Sequence, residues 1–374
     1  MVGSFVEELE IFSNDLKDMP LPELDAVLSK LPCLKSLRLT ELSIPLCLQG
    51  ESLPGWKTPI SLQSLTLDHV YFPSPGWSAK YPAKRVPSRA SGMPVDCCFV
   101  ELINLFGAVR KLTLANTGFN WDAGDDSQYG RYLVNRRLAK IAASNILSSF
   151  RVEEIVSSTC IDDDILSIAD LLRLLSESAS LKSLRRVDIS DVESVIHKFL
   201  WDVGHTLTHL HLRFNPFCYP LQRQDEYNVG CCTSLEDLQV TMDIDLTGRE
   251  ESEESQQCAY DHLLNVVAKS PRTMRRFVIR MQYFSSDLQK HLDASYLDGL
   301  KWSTIDNILT SRKSLKNITF VFVRRYSPRY ESPMPPSFEK EIQLIKEQLP
   351  RLAKKKILGL GKRCLTENHP IQAG

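Results

Sequence analysis

His205, His209 and His211 stand close together in the run GHTLTHLHLRF, with His197 shortly before them. An H-x-H pair on a β-strand places both imidazoles on one face, where they bind zinc once a neighbouring segment brings a third ligand. Asp188 on the preceding apolar segment, and Asp237 or Gln239 on the following one, are the residues able to complete such a set. No H-E-x-x-H spacing accompanies them, so the simpler reading is that solvent-facing strand positions happen to be histidine. Ten cysteines include the adjacent pairs Cys97-Cys98 and Cys231-Cys232. Neither pair has C-x-x-C spacing, and burial as small apolar side chains explains them better than redox or metal chemistry. Asp162-Asp163-Asp164 suits the start of a helix, where carboxylates meet the positive end of the helix dipole, and forms no calcium loop. A G-x-S-x-G nucleophile turn and a Gly-rich phosphate loop are both missing. The chain is therefore expected to be no enzyme, with no catalytic residue, metal or other cofactor.

The segments that carry these residues repeat. The pattern apolar-x-x-apolar-x-apolar occurs as Val6-Leu9-Ile11, Leu34-Leu37-Leu39, Leu62-Leu65-Leu67 and Val109-Leu112-Leu114. It returns as Leu184-Val187-Ile189, Leu207-Leu210-Leu212, Leu235-Leu238-Val240, Met274-Phe277-Ile279 and Leu315-Ile318-Phe320, with a degraded copy at Val152-Ile155. Successive copies lie 23 to 47 residues apart. The last apolar-x-apolar positions alternate with period two, which makes each copy a short strand with one buried face. Helical spacing precedes most copies: Leu24, Val27, Leu28 and Leu31 after Pro22, then 96–106, 164–175, 259–269 and 303–309. Ser303 followed by Asp306 suggests a helix N-cap with an acid in the first turn.

Strand, helix, strand in succession demands crossovers, and crossovers make neighbouring strands parallel. One such unit cannot bury its apolar face alone, whereas a stack can. The expected fold is an α/β, irregular leucine-rich-repeat-like solenoid, with parallel strands on the concave side and helices on the convex side. A doubly wound nucleotide-binding sheet is the alternative α/β arrangement, and it lacks its Gly-rich turn here.

The expected organisation is a solenoid over 1–323, interrupted by mobile insertions near 73–95 and by an acidic loop at 249–257. A Pro-rich linker follows at 324–337. Residues 338–374 are expected to hold a helix, a ragged closing strand around Ile357-Leu358 and a basic tail with Lys354-Lys355-Lys356, Lys362 and Arg363. Lys+Arg (45) against Asp+Glu (46) leaves a net charge of −1, without the basic excess of a nucleic-acid binder. No apolar run reaches membrane-spanning length, and the first residues carry acids where a secretory signal would carry bases. The expectation is a cytoplasmic or nuclear monomer, binding neither nucleic acid nor membrane, with reduced thiols.

The segments FVEELEI (5–11), LPCLKSLRLTEL (31–42), SLQSLTLDHVYF (61–72), FVELINLFGAVRKLTLANTGFNW (99–121), TLTHLHLRF (206–214) and SLEDLQVTM (234–242) resemble the repeat region of fungal F-box/leucine-rich-repeat proteins. That resemblance implies a substrate-recognition surface within a ubiquitin ligase. In the family an F-box binds a Skp1-type adaptor. The repeats here start at residue 5, so adaptor binding carries over to no residue of this chain and would require an F-box upstream. The position three past the last apolar residue, where such repeats often carry Asn or Cys, holds Leu42, Val70, Thr117, Val192 and Asn215 in five copies, one Asn among them. A continuous asparagine ladder is therefore not expected.

With the apolar positions turned inward, the residues between them face the concave side, the surface solenoids commonly offer to partners. Strand by strand the expected protein-binding row is Arg38, Thr66, Thr113, Asp188, His211, Gln239, Val278 and Thr319, flanked by Lys111, Arg186, His209, Asp237 and Arg276. His211, placed on this exposed face, is expected to tolerate alanine at under roughly 0.5 kcal/mol. Buried Leu210 on the opposite face is not.

Overall fold

The structure is a computed structural model of the 374-residue chain. It describes residues 5–45, 59–73, 97–120, 140, 142–158, 168–190, 195–214, 229–245, 251–284, 299–326 and 339–366. The chain forms two compact units, Met1–Arg186 and Val187–Gly374. Both are built of parallel strands laid down in sequence order with helices between them.

In the first unit the sheet runs β1 (Glu8–Asp18), β2 (Ser36–Ser43), β3 (Ile60–Pro73), β4 (Phe106–Ala115) and β6 (Val152–Ser158), and the short β5 (Gly118–Asn120) pairs with β3. The degraded copy at Val152-Ile155 is thus a full strand. Leu9, Leu37, Leu65, Leu112 and Ile155 stand in one register line. Leu37, Leu65, Leu112 and Ile155 are completely buried, as period-two alternation requires. Against this face pack α1 (Leu21–Leu28), α2 (Cys98–Asn104) and α3 (Ile168–Ser176). Pro22 does sit in the first turn of α1, and Leu24 and Leu28 are buried, but Val27 is exposed. Phe72 locks the packing edge-on to Phe99 and Phe119, with ring centroids 5.4 and 6.2 Å away. At the ladder position Thr117 is buried, donates to the Leu67 or Ala115 carbonyl (3.0 and 2.8 Å), and accepts the Val70 N–H at 3.3 Å. One hydroxyl there performs what a ladder asparagine would. Leu42 and Val70 are buried and apolar, whereas Val192 and Asn215 lie outside the described residues.

The second unit orders β7 (Arg186–Ser190), β8 (His209–Phe214), β9 (Asp237–Asp245), β10 (Arg276–Phe284), β11 (Asn317–Tyr326) and β12 (Leu358–Thr366). Leu210, Leu238, Phe277, Ile318 and Leu358 share one inward line, and Leu212, Val240, Ile279, Phe320 and Leu360 the next. The helices on this face are α4 (Val195–Val203), α5 (Glu251–Lys269), α6 (Trp302–Ser311), α7 (Glu339–Gln348) and α8 (Pro350–Lys355).

Four expectations change here. The acidic stretch at 249–257 is not a loop from Glu251 onward: it is the start of α5, whose later turns bury Tyr260, Leu263, Val266 and Val267. Acids in the first turns of a helix favour that extension. Strand β11 continues through Tyr326 into the stretch expected as linker. The closing strand is not ragged, since β12 pairs with β11 over nine residues and takes up Lys362 and Arg363. Ser303 and Asp306 do not cap their own helix, which begins at Trp302. Asp306 is instead buried and turned toward α8, where its two oxygens accept the N–H groups of Arg351 (3.1 Å) and Leu352 (3.0 Å). It is a cap supplied from another helix, satisfying donors that a helix start leaves open. Asp306→Ala is expected to lower stability by about 1–2 kcal/mol, read as a drop in the urea midpoint. Asp306→Asn, which keeps one acceptor oxygen, should recover part of the loss.

The insertion near 73–95, beyond Pro73, and Asp162-Asp163-Asp164 lie outside the described residues. Among the described residues no helix is long and apolar enough to cross a membrane.

Candidate binding face

Each strand that buries one side chain inward must present the next on the opposite face. In the first unit this open face has three register lines. They run Glu8, Ser36, Ser64, Lys111, Glu154; then Glu10, Arg38, Thr66, Thr113, Val156; then Phe12, Thr40, Asp68, Ala115, Ser158. Arg38 is held between Glu10 (3.4 Å) and Asp68 (2.9 Å), and half of its side chain remains exposed. Lys111 faces Glu154 across 3.5 Å. Thr66 and Thr113 are half-buried between these charges. The expected residues of this unit are therefore brought together, and Glu10, Asp68 and Glu154 join them. The same period-two phase, carried to the neighbouring positions, points to all three. Exposed pairs of this kind contribute at most about 1 kcal/mol each, so their effect is to hold Arg38 and Lys111 in place rather than to stabilise the fold.

The open face of the second unit divides along the strands. At its beginning lie His209, Asp237, Arg276 and Asn317 in register. Arg276 is exposed and joined to Asp237 at 3.1 Å, and the His209 Nδ1 is 2.9 Å from the Thr208 hydroxyl. Arg186, at the start of β7, is exposed as well.

Two residues further on, the surface closes. Val278, expected to be exposed, is 3% exposed, and Thr241 only 2%. Thr241 stands in register between Arg213 and Arg280, and Val278 beside Gln239. Side chains from the adjacent strands, Arg213 and Arg280 beside Thr241 and Gln239 beside Val278, bury what alternation alone would leave open. Thr319 stays half-buried, its hydroxyl bonded to Asn317 Oδ1 at 3.0 Å.

At the centre of this closed part is His211. Its Nδ1 lies 3.0 Å from Asp188 Oδ2, which also accepts from Arg213 Nη2 at 3.1 Å. Its Nε2 is 2.8 Å from the Thr241 hydroxyl and 2.8 Å from the Gln239 amide. With the amide oxygen turned inward, Gln239 also accepts from Arg280 Nη1 at 3.2 Å. Burial is the largest influence on both titratable partners. It holds the His211 pKa below the usual imidazole value, aided by the charges of Arg213 and Arg280 and opposed by Asp188. For Asp188, burial works to raise the pKa, but the hydrogen bonds and charges of His211 and Arg213 outweigh it, so the carboxyl stays below its ordinary value. His211 is thus the centre of a largely buried junction rather than an exposed contact. Arg213, Thr241 and Arg280, one alternation further along the strands, complete it.

Asp188 binds His211 as a hydrogen-bond partner, Asp237 is engaged by Arg276, and no group of three or more His, Cys, Asp or Glu converges among the described residues. The vicinal cysteines are packing residues. Cys97, Cys98 and Cys232 are almost completely buried, and burial pushes the Cys97 thiol up to about 12. Cys231 donates to the Leu200 carbonyl at 3.1 Å, near the end of α4. The hydrogen bond with Cys232 holds the Cys231 pKa below its ordinary value, against the opposing effect of burial. Both sulfurs crowd Gly204, where a Cβ would come within 3.0 and 3.1 Å of them.

Neither a protein-family model nor a curated protein matches the sequence, so the fold and the two open faces carry the functional reading.

Proposed function

We propose that this protein is a non-enzymatic protein-binding module with two contact surfaces, the open face of the first unit and, separately, the exposed beginning of the open face in the second. The observation that carries this reading is the opposition of the two sheet faces. One is predominantly apolar and packed against helices; the other keeps Arg38, Lys111 and Arg276 pinned by carboxylates but accessible. Pinned charges lose little side-chain entropy when a partner arrives, which favours binding. The row mixes both signs with hydroxyls, as suits a protein epitope.

The resemblance of the repeat segments to F-box/leucine-rich-repeat proteins supports a more specific role, recruitment of substrates to a ubiquitin ligase in the cytosol or nucleus. A Skp1-type adaptor would bind only through an F-box upstream of this chain. A free-standing repeat scaffold is the alternative, and co-purification of the adaptor with the full gene product separates the two.

A hydrolase is the reading from another class. The line Asp188, His211, Thr241 has the order of a carboxylate, base and hydroxyl relay. Thr241 is 2% exposed, however, and lies in the interior of the parallel ladder, where a substrate carbonyl does not reach it.

The test of the binding reading starts with partner capture from a lysate and proceeds to titration calorimetry with the purified partner. Arg38→Ala, Lys111→Ala and Arg276→Ala together are expected to weaken binding at least about tenfold while leaving the unfolding midpoint nearly unchanged. Unaltered affinity in the triple variant would move the contact surface off the open faces.

A further inference from the structure

We propose that copies of this chain associate head to tail, the outer edge of β12 in one copy pairing in parallel with the outer edge of β1 in the next. This goes beyond the binding reading, does not rest on it, and departs from the monomer expected from the sequence.

Each edge strand has one described neighbour, β2 for β1 and β11 for β12. An unpaired strand edge offers a row of backbone donors and acceptors to another chain. Both edges also carry apolar side chains that their own units leave half covered. Leu9 and Ile11 are half-buried, whereas their register partners Leu37 and Leu39 are completely buried. Leu358 and Leu360 are half-buried, whereas Ile318 and Phe320 are 0% and 1% exposed. Among the described residues, the inner strands have a second layer on the far side and the two edge strands do not.

The two edges fit each other when the leucine lines are continued. Placing Leu358 against Leu9, as each strand already follows its predecessor, sets Gly359 beside Glu10, Gly361 beside Phe12 and Lys356 beside Glu7. The position of Glu7 is the one at which adjacent layers pair charges within the chain: Glu7 with Lys35, Arg110 with Glu153 and Glu236 with Arg275. Lys356 is exposed and would add a fourth pair of the same kind. Phe12, 66% exposed on β1, would lie over two glycines whose lack of side chains leaves room for a ring. Apolar line, charge and shape therefore agree in one register.

An interface of two different edges is heterologous, so copies add one after another, in an open series or, where the rotation between copies closes, in a ring. The experiment is sedimentation velocity of the full chain over a wide concentration range. The mean mass should rise continuously with concentration. Phe12→Asp, at an exposed position that leaves folding intact by circular dichroism, should weaken association about tenfold or more. Glu7→Lys and Lys356→Glu should each weaken it a few-fold, and the double variant should restore it. Phe12→Cys with Gly361→Cys should cross-link copies on mild oxidation, and Phe12→Cys alone should not.

A constant monomer mass at every concentration would overturn the proposal. So would a closed dimer cross-linked by Phe12→Cys alone, or association that Phe12→Asp and the charge variants leave untouched. Fast hydrogen exchange of the β1 and β12 edge amides in dilute protein is expected. Protection there in the monomer would mean that another part of the chain covers the edge, and would also overturn it.

Discussion

Leu210→Ala is expected to lower the stability of the second unit by about 2–5 kcal/mol. The side chain is 2% exposed and lies in the line of Leu238, Phe277, Ile318 and Leu358, so truncation leaves a cavity between layers that cannot collapse without moving two strands. In a stack of layers each element depends chiefly on its neighbours, and the lesion should be felt locally first. Native-state hydrogen exchange reads this directly. Amides of β8 and β9 should lose protection while those of β2 and β3 keep theirs. Uniform loss over both units would mean that the chain unfolds as one block.

The second large effect is at Asp188. Its side chain is 20% exposed and neutralises Arg213 while orienting His211, so Asp188→Ala leaves a cation and an imidazole without their common acceptor. Removing one member of a largely buried pair costs on the order of 3 kcal/mol. His211→Ala, which the exposed placement would make nearly neutral, should cost about 1–3 kcal/mol, since Asp188, Gln239 and Thr241 all lose a partner.

The pH dependence follows from the same junction. The folded-state pKa of His211 lies below its ordinary 6.5, so the unfolded chain binds more protons as the pH falls past that value. The stability this represents is complete above pH 6.5 and is lost as pH falls through the folded value. His262, held low by burial, acts in the same direction. Asp188, lowered from 3.8, withdraws its contribution only under more acidic conditions. The urea midpoint should therefore drop between pH 7.5 and 5.5, and His211→Asn should flatten that slope while starting from lower stability. A slope unchanged by His211→Asn would show that the imidazole does not titrate between those limits.

How far these outcomes were legible beforehand differs by feature. The strand phase was written in the sequence: Leu37-x-Leu39, Leu65-x-Leu67 and Leu210-x-Leu212 alternate with period two, and side chains on a strand have no other way to point. Parallel order followed from helical segments between strands, because a crossover returns each strand in the same direction. That Arg38 and Lys111 face away from the helices was legible for the same reason.

Exposure on the open face was not. Val278 and Thr319 occupy one register line and look alike in sequence, yet Val278 is buried and Thr319 is half-open. Burial there depends on which side chains the adjacent strands bring alongside, 25 to 40 residues away in the chain, and no local periodicity carries that information. Asp306 teaches the same lesson on a helix. An acid near a helix start suggests a local cap, but this carboxylate closes the start of α8, some 45 residues later. His211 is the clearest case. Alternation placed it correctly on the open face, and only tertiary packing surrounded it with Asp188, Arg213, Gln239, Thr241 and Arg280, converting an exposed position into a largely buried polar junction. Backbone geometry determines which way a strand residue points, whereas its solvent exposure depends on side chains from other layers, which only the assembled sheet brings together.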